Sequence, residues 1–168
     1  MGPEIHYTNT LYRHPSFPNG APCKRYWVAP GIMVGGSILD AKDGEFLASH
    51  GITHVFSVET EHDDVGKVGA MKDAMRVPFP DTGGEIPEAV VRAAATFFQK
   101  VVTEGGKVYV HCQQGGSRSP AIAYAMLRSV GSSKEEVLSS IRHARRDNWG
   151  EHQFHQTYLA SIERALCS

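Results

Sequence analysis

The chain has 168 residues, of which 41% are apolar and 21% are charged, as expected of one soluble globular domain with its own core. The formal net charge of −1 provides no overall attraction to nucleic acid or to an anionic membrane, so we expect neither as a partner. Three widely spaced cysteines favour a reducing compartment, and the longest apolar run, residues 121–127, is too short to span a bilayer; we therefore expect a cytoplasmic protein.

The first half of the chain predicts an arm followed by strands and a short helix. Residues 1–25 are rich in Pro, Asn, Gly and His without any period, which predicts an extended N-terminal arm, and residues 26–168 form the single domain. Residues 26–35 predict short strands around a turn at Pro30-Gly31. A helix follows over 41–49 and ends at Gly51, and a buried strand follows over 52–58.

The second half alternates in the same way and ends in helices. A weak strand over 75–79 runs into the loop PDTGGE, and Pro87 starts a helix that ends at Gly105-Gly106. A strand over 108–110 leads to a polar loop, and three helices follow, the second of them opened by two overlapping Ser-x-x-Glu capping boxes. This order predicts an α/β fold in which helices flank a small, central, mostly parallel sheet.

The loop between the 108–110 strand and the next helix combines a thiol with an anion-binding backbone. Gly115 and Gly116 allow the loop amides to converge near the helix N-terminus, where unpaired N–H groups favour an oxyanion. The same amides stabilise the thiolate of Cys112, which makes it a nucleophile at neutral pH. Arg118 adds a planar fork suited to two phosphate oxygens. Together they predict attack of sulfur on phosphorus and a cysteinyl-phosphate intermediate.

This stretch, HCQQGGSRS at residues 111–119, resembles the HC-x-x-G-x-x-R-[ST] signature of cysteine-dependent protein phosphatases. The chain's size is similar to that of the dual-specificity subgroup. Residues 29–36, Ala41, Leu47 and residues 51–55 are similar to the opening strands and first helix of that subgroup, and residues 141–156 are similar to its terminal helices. The resemblance covers about residues 26 to 166 and implies the dual-specificity phosphatase-like fold.

The resemblance also implies roles for individual residues. Asp81 occupies the place of the family's general acid, which then acts as base in the second step, and its loop has glycines that permit closure. Ser119 corresponds to the hydroxyl that hydrogen-bonds the cysteine sulfur, and His111 supports the loop. Backbone amides that bind phosphate are expected from Gln113, Gln114, Gly115, Gly116 and Ser117. No cofactor or metal is expected, because Arg118 and the amides neutralise the phosphoryl oxygens.

Several residues allow other interpretations. Glu85, Asp63, Asp64 and Asp73 compete with Asp81 for the role of acid. His152 and His155 have the i, i+3 spacing of a metal pair but lack a third ligand, so surface histidines are expected. The basic cluster Arg142, His143, Arg145 and Arg146 fits a solvated helix face, and an acidic flank of a phosphoprotein is the alternative ligand. Cys23 and Cys167 are expected to be incidental, with a protective disulfide to Cys112 as the alternative.

These observations predict a phosphatase that hydrolyses phosphotyrosine and phosphoserine or phosphothreonine in a phosphorylated protein substrate. The variable positions of the loop, Gln113, Gln114, Gly116 and Ser117, are all uncharged, whereas phosphoinositide-specific relatives tend to carry lysines there. The alternatives are a phosphatase of the same loop class for an inositol lipid, a glycan or RNA, and a phosphate-binding pseudophosphatase without turnover.

Overall fold

The computed structural model describes residues 10–13, 22–61, 71–113, 115–145 and 156–167. Within these ranges the chain forms one sheet of six strands and five helices. The strands are β1 Thr10–Arg13, β2 Pro22–Ala29, β3 Ile32–Gly35, β4 His54–Ser57, β5 Asp73–Arg76 and β6 Val108–His111. The helices are α1 Ala41–Ser49, α2 Glu88–Thr103, α3 Arg118–Ser129, α4 Lys134–Arg145 and α5 Gln156–Cys167. Among the described residues, no helix combines the length and the apolar character needed to cross a membrane.

The sheet is mixed, with a parallel centre. The strand order is β1-β2-β3-β6-β4-β5, and the first two pairings are antiparallel. The strands β3, β6, β4 and β5 run parallel, which confirms the predicted α/β fold. Because the carboxyl ends of parallel strands meet at one edge of a sheet, the loops that follow these four strands converge there.

Most elements lie where the sequence predicts them, with one shift. The turn at Pro30-Gly31, the helix over 41–49 and the positive φ of 81° at Gly51 are as expected. The weak strand predicted over 75–79 is instead β5, Asp73–Arg76. Beyond Arg76 the chain still donates to the β4 side, from the N–H of Val77 to Ser57 at 2.8 Å and from the N–H of Phe79 to Val58 at 3.2 Å.

Two segments of the predicted N-terminal arm belong to the sheet. Residues 10–13 form β1, which pairs antiparallel with β2 in the register Thr10↔Arg25. Residues 22–25 are the start of β2 itself. The sheet therefore begins upstream of the boundary that composition suggested.

Both faces of the sheet are covered, so its central strands are apolar on both sides. Val108 and Val110 of β6 face the larger core, which α2, α3, α4 and α5 complete. Tyr109 faces the opposite side and joins the smaller cluster beneath α1 with Met33 and Leu47. This alternation follows from the two-residue period of a strand.

A buried ion pair ties α1 to the sheet. Arg25 of β2 donates from Nη2 to Oδ1 of Asp43 at 2.9 Å, and both side chains are fully buried. The other carboxylate oxygen of Asp43 accepts the backbone N–H of Leu39 at 2.8 Å, just before the helix. Nε of Arg25 donates to the hydroxyl of Tyr109 at 3.2 Å. One carboxylate thus fixes the start of α1 and neutralises a guanidinium within the fold.

Asp43→Ala is expected to lower the free energy of unfolding by about 3–5 kcal/mol, because it removes the carboxylate from a buried guanidinium. Urea denaturation followed by circular dichroism measures the change. The control is Glu88→Ala, which breaks the exposed i, i+4 pair with Arg92 and should cost no more than about 0.5 kcal/mol. Equal losses for the two variants would contradict the importance of the buried pair.

Candidate active site

The candidate site lies where the four parallel strands end. The segment after β6 supplies Cys112, the segment after β4 supplies Glu61, and the segment after β5 supplies Asp81. They line one cavity of about 500 Å³. Its lining residues are Thr60, Glu61, Pro80, Asp81, Thr82, Cys112, Gln113, Gly116, Ser117 and Arg118. Parallel β topology thereby brings together the thiol, the guanidinium and the predicted acid.

The sulfur of Cys112 lies at the base of this cavity and has two polar neighbours. The backbone N–H of Gly115 donates to Sγ at 3.3 Å, and Oγ of Ser119 lies 3.2 Å from Sγ. Oγ of Ser119 is also 3.4 Å from the carbonyl oxygen of Gly35. A thiolate has no proton to donate, so the single hydroxyl proton of Ser119 is directed to the sulfur when Cys112 is ionised.

Close packing on β3 and two hydrogen bonds fix the backbone of the loop that follows Cys112. Gly115 has a φ of 83°, and a β-carbon there would lie 2.7 Å from the carbonyl carbon of Gly35. The hydroxyl of Tyr26 donates to the carbonyl of Gly115 at 2.8 Å, and burial raises the pKa of Tyr26, which preserves this donor. The N–H of Ser37 donates to the carbonyl of Gln113 at 3.1 Å. Gln114, a predicted phosphate-binding residue, lies outside the described residues.

Arg118, the first residue of α3, links the loop to two other segments. Its Nη1 donates to the carbonyl of Phe79 at 3.2 Å, and its Nη2 donates to both carboxylate oxygens of Glu61 at 2.9 and 3.0 Å. Arg118 is buried, whereas the side chain of Glu61 is 29% exposed at the cavity wall. Among the described residues, Ser117 makes no side-chain hydrogen bond to the first turn of α3, so it does not cap the amides there.

Asp81 is attached to the last helix. The hydroxyl of Tyr158 donates to Oδ1 of Asp81 at 2.7 Å and accepts the N–H of Gly83 at 3.3 Å. Burial, followed by the hydrogen bond to Asp81, raises the pKa of Tyr158 to about 12. The hydroxyl therefore keeps its proton at neutral pH and remains a donor to the carboxylate.

Of the acids that compete with Asp81, those among the described residues do not line the cavity. Asp73, the first residue of the edge strand β5, pairs with Lys100 at 2.5 Å, and Glu85 pairs with Arg164 at the surface. Asp63 and Asp64 lie outside the described residues.

His111 lies behind the loop and away from the cavity lining. Its Nδ1 is 3.2 Å from Oε2 of Glu59, and both side chains are fully buried. Oε1 of Glu59 accepts the hydroxyl of Ser37 at 2.6 Å. The imidazole also stacks on Tyr109, with ring centroids 5.5 Å apart and planes tilted by 17°. This placement suits the supporting role that the resemblance implies.

The remaining sequence hypotheses divide between described and undescribed residues. Arg145 of the basic cluster is buried, which differs from the expected solvated face, while Arg142 and His143 are exposed. Arg146, His152 and His155 lie outside the described residues. Cys167 is an exposed free thiol, and Cys112 is a buried one. Within the described part of the chain, no group of three His, Cys, Asp or Glu side chains is arranged to hold a metal.

The sequence does not indicate the residues that hydrogen-bond and orient the predicted site residues. In the sequence, Glu59 and Glu61 belong only to a polar run, and Tyr158 has the four-residue spacing of an apolar helix stripe with Ile162 and Leu166. One pattern would have pointed to Tyr158, because a buried tyrosine hydroxyl needs a hydrogen-bond partner. For Tyr26 and Ser37 no sequence pattern indicates a role.

A family model for the dual specificity phosphatase catalytic domain matches residues 36–164. The chain belongs to the dual-specificity phosphatase family. It is 32% identical to mouse dual specificity protein phosphatase 15 over 120 residues, which is 70% of this chain and 49% of that protein. It is 30% identical to Arabidopsis thaliana dual specificity protein phosphatase 1B over 151 residues, which is 81% of this chain and 82% of that protein.

The fold is shared with solved phosphatase structures. PTPMT1 in complex with PI(5)P superposes with a TM-score of 0.70 at 19% identity, covering 84% of this chain and 94% of that one. The chain spans about half the length of mouse dual specificity protein phosphatase 15. The family match and the superposition thus establish the family and the fold of this domain.

Gly115→Ala is expected to destabilise the loop, because alanine is strained at this φ and its β-carbon meets the Gly35 backbone. We expect a loss of about 1–3 kcal/mol in the free energy of unfolding and weaker binding of orthovanadate. Denaturation and calorimetric titration measure the two effects. Gly31→Ala is the control, since no atom lies within 4 Å of a β-carbon there. Unchanged orthovanadate binding by Gly115→Ala would contradict the packing argument.

Proposed function

We propose that the chain is a cysteine-dependent phosphatase that hydrolyses phosphotyrosine and phosphoserine or phosphothreonine in proteins. One observation carries this proposal. The Sγ of Cys112 receives the N–H of Gly115 at the base of a cavity whose wall includes Arg118 and Asp81. A nucleophile, an oxyanion-binding group and a proton donor are the parts that phosphoryl transfer to sulfur requires.

In the first step, the Cys112 thiolate attacks phosphorus, and the ester P–O bond breaks as the S–P bond forms. Arg118 and the loop amides stabilise the charge on the non-bridging oxygens. Protonated Asp81 transfers its proton to the departing oxygen, because an unprotonated alkoxide or phenolate leaves poorly.

In the second step, water attacks phosphorus and the S–P bond breaks. The Asp81 carboxylate, left ionised by the first step, accepts the proton of that water. Ser119, 3.2 Å from Sγ, donates its hydroxyl proton toward the sulfur as the thiolate departs. Inorganic phosphate leaves, and the free thiolate is restored.

The charge of the cavity supports a phosphoprotein substrate. The described lining residues include one guanidinium, Arg118, and two carboxylates, Glu61 and Asp81. A ligand with several phosphate groups would meet these carboxylates without additional cations to balance it. The structure of PTPMT1 with PI(5)P keeps a phosphoinositide as the alternative ligand for this fold.

Cys112→Ser is expected to reduce hydrolysis of p-nitrophenyl phosphate to the rate without enzyme, since a serine hydroxyl is not ionised at neutral pH. Asp81→Asn should lower kcat by about 10²–10⁴-fold, the usual contribution of a general acid. Steady-state kinetics measures both. Cys167→Ser is the matched control, because it removes the exposed thiol and should leave the rate unchanged. If Cys112→Ser retained wild-type activity, the mechanism would be wrong.

Substrate class is tested with a panel at equal concentrations: a phosphotyrosine peptide, a phosphothreonine peptide, PI(5)P in micelles and 5′-triphosphate RNA. We expect a kcat/KM for the peptides at least about tenfold above the other two, a difference of about 1.4 kcal/mol in transition-state binding. Phosphate release measures each rate. Preference for PI(5)P or RNA would favour the non-protein alternative, and binding of phosphopeptide without release would favour a pseudophosphatase.

A further inference from the structure

The last helix, α5, is hydrogen-bonded to residues 81–86, the segment that carries the predicted acid. The contacts lie at the two ends of that segment. At the first end, the hydroxyl of Tyr158 donates to Oδ1 of Asp81 at 2.7 Å and accepts the N–H of Gly83 at 3.3 Å. At the other end, Oγ of Ser161 accepts the N–H of Ile86 at 3.1 Å. The segment therefore rests on one face of a helix that contributes no residue to the cavity lining.

Tyr158 is itself rigidly placed. It is 1% exposed and belongs to the larger core. Its ring meets Phe79 edge to face, with centroids 6.0 Å apart and planes at 88°. The carbonyl of Phe79 in turn accepts Nη1 of Arg118 at 3.2 Å. The position of the Tyr158 hydroxyl is thus set by core packing next to the residue that Arg118 contacts.

We propose that Tyr158 is the positioning residue for the general acid, holding Oδ1 of Asp81 so that Oδ2 presents the proton to the departing oxygen. This inference rests on the proposed function, in which Asp81 is the acid. Tyr158 then acts on the reaction through Asp81 without touching the substrate.

The segment needs such a restraint because its backbone is permissive. Asp81 is followed by Thr82 and by Gly83 and Gly84, and Gly83 has a φ of 75°. Glycines allow many backbone directions, so the carboxylate would otherwise sample orientations that do not reach the leaving group. The Tyr158 hydroxyl donates one hydrogen bond to the Asp81 carboxylate and accepts one from the Gly83 amide, and these two bonds restrict both groups.

The test is Tyr158→Phe, assayed with two aryl phosphates that differ in their need for a proton. With phenyl phosphate, whose phenolate leaves poorly, kcat/KM should fall about tenfold, part of the roughly 10²–10⁴ that a general acid supplies. With 2,4-dinitrophenyl phosphate, whose leaving group needs little protonation, kcat/KM should fall less than about twofold, because kcat/KM reports the step in which the leaving group departs. The inhibition constant of inorganic phosphate should stay within about twofold, because no contact to the phosphate is removed.

The matched control is Tyr124→Phe. Tyr124 is fully buried, and its hydroxyl also donates to a carboxylate, that of Glu163 on α5, away from Asp81. This variant should show equal kcat/KM changes for the two leaving groups. If the thermal unfolding midpoint shows that Tyr158→Phe is not folded, a second variant, Ser161→Ala, replaces it. This change loosens the other end of the segment and should give the same leaving-group pattern at about threefold.

A double-mutant comparison separates this inference from the proposed function. Tyr158→Phe combined with Asp81→Asn should be no slower than Asp81→Asn alone, since the hydroxyl acts through the carboxylate. Equal losses for the two leaving groups, or additive losses in the double variant, would overturn the positioning role while Asp81 remains the acid. If Asp81→Asn itself showed no leaving-group dependence, the acid assignment would fail and the positioning role with it.

Discussion

The carbonyl of Gly35, at the end of β3, is the acceptor around which the site is arranged. It accepts the N–H of Cys112 at 3.3 Å, and the hydroxyl of Ser119 lies 3.4 Å from it. The backbone of Gly115 packs so closely on Gly35 that a β-carbon would clash. All three contacts follow from the parallel register that sets Gly35 beside His111. The position of the thiol therefore depends on strand pairing as much as on its own loop.

The charged side chains in and behind the site each have a polar or charged partner. Glu61 and the carbonyl of Phe79 hold the guanidinium of Arg118, which in the proposed reaction orients the arginine before phosphate binds. Glu59 lies deeper, between Ser37 and His111. Unpaired charges would be costly at this depth, and paired ones fix geometry. In the proposed reaction such preorganisation favours the transition state, because the dipoles need not reorient.

The two halves of the proposed chemistry are supported by different parts of the fold. The sheet places Cys112, whereas α5, through Tyr158, places Asp81. The hydrogen bond between Tyr158 and Asp81 joins residues that are 77 positions apart. Helix packing in the main core thereby reaches the cavity, and a change in how α5 docks would alter the acid without disturbing the nucleophile.

The sequence by itself determined the local parts of this protein, because they depend on contiguous residues. Strand, glycine turn and helix start follow one another at residues 108–119, so the placement of Cys112 beside Arg118 could be predicted, and the family resemblance pointed to Asp81 and Ser119. The tertiary structure alone decided that Glu61 binds Arg118 and that Tyr158 binds Asp81. Sequence patterns describe neighbours within a few residues, whereas these partners meet only because parallel strands end at one edge and α5 packs beside it.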